Sequence, residues 1–493
     1  MPSDPRILTL DVGTSSARTA VYDAGGGRLA WGAEVRRYAP TLTADGGGTL
    51  DPEALFQVVT DLIDSTLLQA RARAEELVCV ASAAFWHSLL GLDASGEPCT
   101  PVYLWMDNRA HQAAARLRAE LDERQVHART GCVLHASYLP AKLRWVRDDQ
   151  PQTAGRVRRW VSFSEFLLKR LLGEAPISVS MASGTGLFDQ HRCDWDDEVL
   201  SACGAHRGQL PRLAGEGEML GGLRAPWRER WPQLARVPWL PCLGDGAASN
   251  VGAGCTTAMR AALMVGTSVA LRVLWRTERV VIPWGVWGYR LDRERVCLGG
   301  ALNDGGNLFA WLKSTLRLPE GGELDRALSQ LPSDGHGLTL LPLWGGERSP
   351  SWAGDAHGAI LGLGFHTSAL EIARAALEGV ALRCMELELR LREAVPGIEQ
   401  VVATGGGLLA SPAWLQIMAD ALGRELIASA EREASSRGAA LFALERLGLL
   451  PGGLDAVPPP DGARYAVDPQ RHQRYRAAGE RQRVLYRQVI EPR

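Results

Sequence analysis

The sequence predicts an α/β fold in two similar halves, and three observations carry that prediction. Near-continuous aliphatic runs alternate with segments of helical periodicity, the pattern of sheets covered on both faces. A strand, a tight Gly-Thr-Ser turn and a returning strand occur twice, at residues 7–22 and 262–274. Between these copies, residues 238–254 are dense in proline and glycine turn signals, which places the boundary between halves there.

Each element follows from local chemistry. Aliphatic and β-branched residues flank Gly13 and Gly266, glycines expected to serve the turns by tolerating positive φ. Asp51-Pro52 is a helix start, a capping acid followed by an N1 proline, and residues 52–76 carry apolar side chains at helical spacing. That helix feeds a buried strand at 78–81. The apolar stretch 77–92 is broken by Ser82, His87, Ser88 and Gly91, and is too short and too polar to span a membrane. Helical segments are expected at 112–123 and 141–148. Near residue 401 a further apolar strand begins, ending in Gly405, Gly406 and Gly407, and Ser411-Pro412 opens a helix with Ile417, Met418 and Ala421 on one face. The tail is loop-like through Pro458, Pro459 and Pro460, and its later arginines read as a solvated helix face. The expected division is 1–245, 246–450, and a loop and helix over 451–493.

Composition narrows the function. A chain of 493 residues holds two to three domains, and 46% hydrophobic with 22% charged residues is the composition of a globular protein. A formal charge of −2 gives no basis for nucleic-acid or anionic-membrane binding. The nine cysteines are scattered, with no Cys-x-x-Cys pair, which argues against a disulfide framework or a zinc site and suits a reducing compartment. Asp4 and Arg6 lead directly into the first strand, leaving no room for a signal peptide, so a cytoplasmic location is expected. A homodimer is compatible with the sequence, which does not fix the oligomeric state.

Two Gly-Thr-Ser hairpins can grip one polyphosphate, because backbone N–H groups and hydroxyls at such turns donate to phosphate oxygens. The first copy adds Asp11, a carboxylate suited to hold magnesium through water. Asp245, in the glycine-rich run 244–254, fits two roles: a base that accepts the proton of an attacking hydroxyl, or an Asx or N-cap turn. Glycines 405–407 lack Cβ atoms, so a base and ribose can lie against their backbone. A glycine C-cap explains them equally.

Taken together, these segments resemble the FGGY family of carbohydrate kinases over nearly the whole chain. Gly358 to Leu363, seven residues, then Glu371 to Glu378 fits the family's second signature, and the segment 137–149 around Lys142 and Trp145 approximates the first. The resemblance implies two actin-like (ribonuclease H-like) ATPase domains with ATP and sugar meeting in the cleft between them, and the cofactors ATP and Mg2+. It implies Asp245 as catalytic base and Asp11 as the magnesium-associated acid. Thr14, Ser15, Gly266 and Thr267 correspond to phosphate contacts, and Gly306, Gly406, Gly407 and Ser411 to the nucleotide cradle. A catalytically silent sugar sensor or an actin-like assembly protein is the non-enzyme alternative. Retention of both Asp11 and Asp245 argues against it.

The sugar pocket is expected in the first half. Indole faces pack on C–H surfaces while polar tips satisfy hydroxyls, which selects Trp86, His87, Trp105, Asp107 and Arg109 beside the buried 78–84 strand. Segments 105–110, 130–135, 300–306 and 346–352 resemble the gluconate-kinase branch, which implies D-gluconate as substrate; xylulose or another sugar or polyol is the alternative. A carboxylate substrate calls for a cation, and His135, Arg109 and Lys142 are candidates that could equally be intramolecular pairs.

Overall fold

The computed structural model describes residues 4–70, 76–173 and 175–490. Two sheets repeat one plan. In the first, Arg6–Val12 pairs antiparallel with Ser16–Tyr22 and parallel with Leu77–Ala84, and the full order is Leu243–Gly244, Leu77–Ala84, Arg6–Val12, Ser16–Tyr22, Glu34–Arg37. In the second, Arg260–Val265 pairs antiparallel with Val269–Arg276 and parallel with Gln400–Thr404. Seven strands make up this sheet, from Trp287–Arg290 at one edge to Arg464–Tyr465 at the other. The duplicated sequence motif is thus a duplicated topology. Each hairpin sits at the sheet centre, where both strands are buried and the turn projects from one end.

The two halves share a helix pair. Asp245–Gly252 crosses Ala434–Arg446 at glycine: a Cβ on Gly252 would lie 1.8 Å from the Ala434 carbonyl oxygen, and one on Gly438 would lie 1.8 Å from that of Ala248. Only glycine lets the two backbones approach so closely. The second helix also packs on the first sheet, where Ala439 to Leu444 join its core and Ser436 hydrogen-bonds Thr9 at 2.7 Å. Packing crosses the expected 245/246 boundary in both directions.

Several element expectations need adjustment. The helix expected over 52–76 is Pro52–Ala70, with residues 71–75 outside the described set. The strand expected at 78–81 extends over Leu77–Ala84. The single helix expected at 112–123 is two, His111–Glu120 and Glu123–Thr130, because Asp122 accepts from the Arg124 and Gln125 amides and starts a new helix. The tail forms Pro469–Val489, whose Tyr475, Ala478 and Leu485 are buried while Arg481 and Arg483 pair with Asp334 and Glu386 on its outer side. No helix among the described residues is long and apolar enough to cross a membrane.

Candidate active site

Both hairpins open onto one cleft of about 390 Å³, lined from the first half by Asp11, Arg18, Trp86, His87, Trp105 and Asp245, and from the second by Met264, Ser268, Arg272, Tyr289 and Arg348. In the first turn the Gly13 amide donates to the Ser16 carbonyl at 2.8 Å and the Tyr38 hydroxyl donates to the Gly13 carbonyl. In the second, the Gly266 amide donates to the Ser268 carbonyl at 3.0 Å. The amides of Thr14, Ser15, Thr267 and Ser268 have no partner among the described residues, so they are free to donate to an anion. Neither Gly13 nor Gly266 has positive φ, contrary to expectation. Space is tight at Gly13 instead: a Cβ there would stand 3.2 Å from the Ser16 carbonyl oxygen.

The second turn rests on a floor of glycine backbone. A Cβ on Gly306 would lie 2.4 Å from the Gly266 oxygen, and one on Gly405, whose φ is +88°, would lie 2.5 Å from the Val265 oxygen. Gly407 approaches the same two carbonyls, while Gly406 faces open space. The Gly306 and Asn307 amides donate back to the Gly266 and Thr267 carbonyls at 2.9 and 3.1 Å, tying the floor to the hairpin. Ser411 has a different task from the one expected. Its hydroxyl caps Pro412–Leu422, accepting from the Trp414 amide and donating its one proton to Asp325, so it has no donor left for a nucleotide.

Asp245 opens its helix at the cleft wall, with Oδ1 accepting from the Gly246 amide at 2.8 Å. One oxygen bonds the next amide and the carboxylate lines the cleft, while the N-cap position expected of Asp245 belongs to Gly244. Burial pushes its pKa up, opposed by the Arg272 guanidinium. Asp11, at the same end of the same sheet, is also buried, and burial raises its pKa to about 7; Arg18 opposes this, while Asp245 and Glu433 add to it. Arg18, opposite Asp11 on the paired strand, reaches it at 3.8 Å and binds Glu433.

Trp86 explains the glycines around the candidate base. A Cβ on Gly244 or Gly246 would lie 1.9 or 2.5 Å from its indole, so the ring lies flat on the backbone beside Asp245. Its Nε1 donates to the Ser180 carbonyl at 2.9 Å, and its ring meets Tyr289 edge-on at 4.8 Å. His87 sits in the left-handed region at φ 62°, a strained setting for a non-glycine residue that the surrounding contacts enforce. Its Nδ1 contacts the Gly184 carbonyl at 2.5 Å, and burial pushes its pKa down to about 3. The ring is neutral, with Nε2 as an acceptor 3.5 Å from the Tyr289 hydroxyl. Trp105 also faces the cleft and donates from Nε1 to Thr14 Oγ1 at 3.2 Å, tying it to the first Gly-Thr-Ser turn.

Asp107, Arg109, His135 and Lys142 are not on the cleft wall. Asp107 is buried and accepts from the Gly48 amide at 3.1 Å and from Arg109 Nη2 at 2.6 Å; Arg109 in turn lies over Trp145 at 4.9 Å. An aspartate two residues before an arginine has closed a local pair, which occupies the carboxylate and holds the guanidinium away from the cleft wall. His135 lines a separate cavity, with Nδ1 accepting from the Ser137 amide at 3.1 Å. Lys142 is buried and donates to the Ala136 carbonyl, and burial lowers its pKa to about 7.

In their place the cleft presents groups that the sequence reading passed over: Arg18, Arg272, Arg348, Tyr138 and Tyr289. For two of them a signal existed. Arg18 and Arg272 are charges set among apolar residues of the return strands, three and four residues after each Gly-Thr-Ser turn. Tyr138, Tyr289 and Arg348 arrive from distant loops and an edge strand, and only the fold brings them together.

With that geometry in view, the comparisons are specific. Residues 6–252 match the N-terminal domain, and residues 261–445 the C-terminal domain, of the FGGY family of carbohydrate kinases. The chain belongs to this family, a family of phosphotransferases whose two-domain actin-like fold it adopts. It is 26% identical to the gluconokinase of Bacillus subtilis (strain 168) over 482 residues, 94% of this chain and 91% of that one. Two Lactobacillus acidophilus structures, a gluconate kinase and a ligand-bound xylulose kinase, each superpose with TM-score 0.91 at 24% identity over 99% of both chains. At that identity the superpositions speak for the fold alone.

Proposed function

We propose that this chain transfers the γ-phosphoryl group of ATP to a terminal hydroxyl of a small sugar or sugar acid, with D-gluconate giving 6-phosphogluconate and ADP. The observation that carries the reading is Asp245 on a glycine-flanked turn, facing a cleft into which both phosphate hairpins open. Phosphoryl transfer needs positioning and charge stabilisation more than covalent chemistry. The free amides of Thr14, Ser15, Thr267 and Ser268 would hold phosphate oxygens, and the glycine floor at 306 and 405–407 would admit the nucleotide.

Asp245 orients the sugar hydroxyl and accepts its proton as the oxygen attacks the γ-phosphorus and the bond to the β-phosphate oxygen breaks. The carboxylate of Asp11, lining the cleft with hard oxygen donors, fits a magnesium ion held through water. When bound, magnesium neutralises charge on the phosphate oxygens. Trp86 and Tyr289 cover the carbon chain, and His87 Nε2 accepts from a hydroxyl.

Gluconate is favoured by the similarity to a gluconokinase and by unpaired arginines in the cleft. The equal superposition on a xylulose kinase supports the second reading, a neutral keto sugar. An ADP-release assay over gluconate, xylulose, ribulose, glycerol, fucose-type sugars and sugar alcohols separates them. The first reading expects the highest kcat/KM for gluconate; a higher value for a neutral sugar contradicts it.

A further inference from the structure

Four arginines line the cleft, and they are not equivalent: Arg432 is exposed to solvent, and the other three lie deeper. Arg18 is balanced by Asp11 and Glu433. Arg272 has no ion pair among the described residues, yet its Nε donates to Asn250 Oδ1 at 3.0 Å and its Nη2 reaches Ser249 Oγ at 3.5 Å. Arg348 also lacks a carboxylate partner among the described residues. Its Nη2 donates to the Leu302 carbonyl at 3.2 Å, its guanidinium lies 5.2 Å from the centre of the Trp105 ring, and its Nε is buried with no hydrogen-bond partner. Holding an ionised guanidinium with an unsatisfied N–H at a cleft wall costs free energy unless an anion arrives there.

The surroundings show which end of a substrate would reach it. From Asp245 the wall runs through Trp86, whose ring lies on Gly244 and Gly246, to Tyr289 at 4.8 Å. The Tyr289 hydroxyl meets that of Tyr138 at 2.7 Å, and the Tyr138 ring lies 6.0 Å from Trp352, whose amide is bonded to the carbonyl of Arg348. Base and unpaired guanidinium are thus separated by an aromatic wall. An open-chain molecule with its reacting hydroxyl at one terminus and an anionic group at the other matches that order. His87 is neutral and Lys142 points to Ala136, so neither competes as the cation.

We infer that Arg348 receives the carboxylate of a sugar-acid substrate and sets the preference for acids over neutral sugars of the same length. The inference rests on the phosphotransfer reading of the cleft and adds the residue that selects the substrate class. A guanidinium fork suits a carboxylate because it offers two parallel N–H donors in its plane.

The test compares D-gluconate with D-glucitol, which carries CH2OH in place of the carboxylate, in wild type, Arg348→Gln and Arg348→Lys. Arg348→Gln should reduce the gluconate-to-glucitol ratio of kcat/KM by about 10²-fold, mainly through the KM of gluconate. Arg348→Lys keeps the charge without the fork and should lose about tenfold. An equal loss for both sugars would make the residue structural, and a raised KM for ATP in place of gluconate would assign the guanidinium to the nucleotide. Either result overturns the inference. A wild type that prefers gluconate while Arg348→Gln keeps that preference sinks the assignment and leaves the sugar-acid reading standing. A wild type that phosphorylates neutral sugars but no acid sinks both.

Discussion

The two hairpins share a topology and differ in what surrounds them. At the first turn the neighbours are charged: Asp11 on the outgoing strand, Arg18 on the return strand and Glu433 from the crossing helix. At the second the return strand again carries an arginine, Arg272, but the turn itself packs on backbone, with Gly306, Gly405 and Gly407 against the Val265 and Gly266 carbonyls. A duplicated fold has supplied two turns of one topology, and their surroundings have made them different. On the function proposed above, the first would present charge for metal and chemistry, and the second a backbone surface for a nucleotide.

The largest effect expected from this division lies beside the charged turn. Asp245→Asn keeps the shape of the carboxylate and removes its basicity, so turnover should fall by roughly 10²–10⁴ while ATP and sugar affinities stay within several-fold. Steady-state kinetics with calorimetric binding measure both. Near-normal turnover in a folded variant would remove Asp245 from the chemistry and leave it as a turn residue.

A smaller effect is expected in stability. Burial raises the Asp11 pKa from 3.8 to about 7, so the folded state resists its ionisation. The stability associated with Asp11 is therefore complete below about pH 4 and declines as pH rises through 7. Without magnesium, Asp11→Asn should be more stable than wild type at pH 8 by up to roughly 4 kcal/mol, and the difference should vanish near pH 4. Chemical denaturation across that range in the presence of a chelator checks the sign. A variant less stable at pH 8 would show that the pair with Arg18 outweighs the burial.

The same contrast explains what was legible in the sequence. Both hairpins, the strand into glycines 405–407 and the helix that opens at residue 412 were readable, because each is a local pattern of aliphatic runs, turn residues and caps. Trp86 and His87 were readable as the end of a buried strand. Asp107 and Arg109 misled, since residue type showed polar groups near that strand but not that they bind each other. Ser411 misled for a related reason: a serine before proline is a helix cap first. Tyr138 and Tyr289 meet across 151 positions, and no local pattern announces that hydroxyl bond; Arg348 lay inside the segment 346–352 that the resemblance singled out, but its place on the cleft wall needed the fold.

The most direct test of the division of labour is calorimetric binding of ATP, with and without magnesium, to wild type, Asp11→Asn and Gly306→Ala. A Cβ at 306 would stand 2.4 Å from the Gly266 carbonyl oxygen, so it must displace the floor under the nucleotide. The account predicts that Asp11→Asn binds magnesium-free ATP as wild type does and loses the gain that magnesium confers. It predicts that Gly306→Ala binds ATP more weakly under both conditions and keeps the magnesium gain. A full magnesium gain in Asp11→Asn, or unaltered ATP binding in Gly306→Ala, would contradict it.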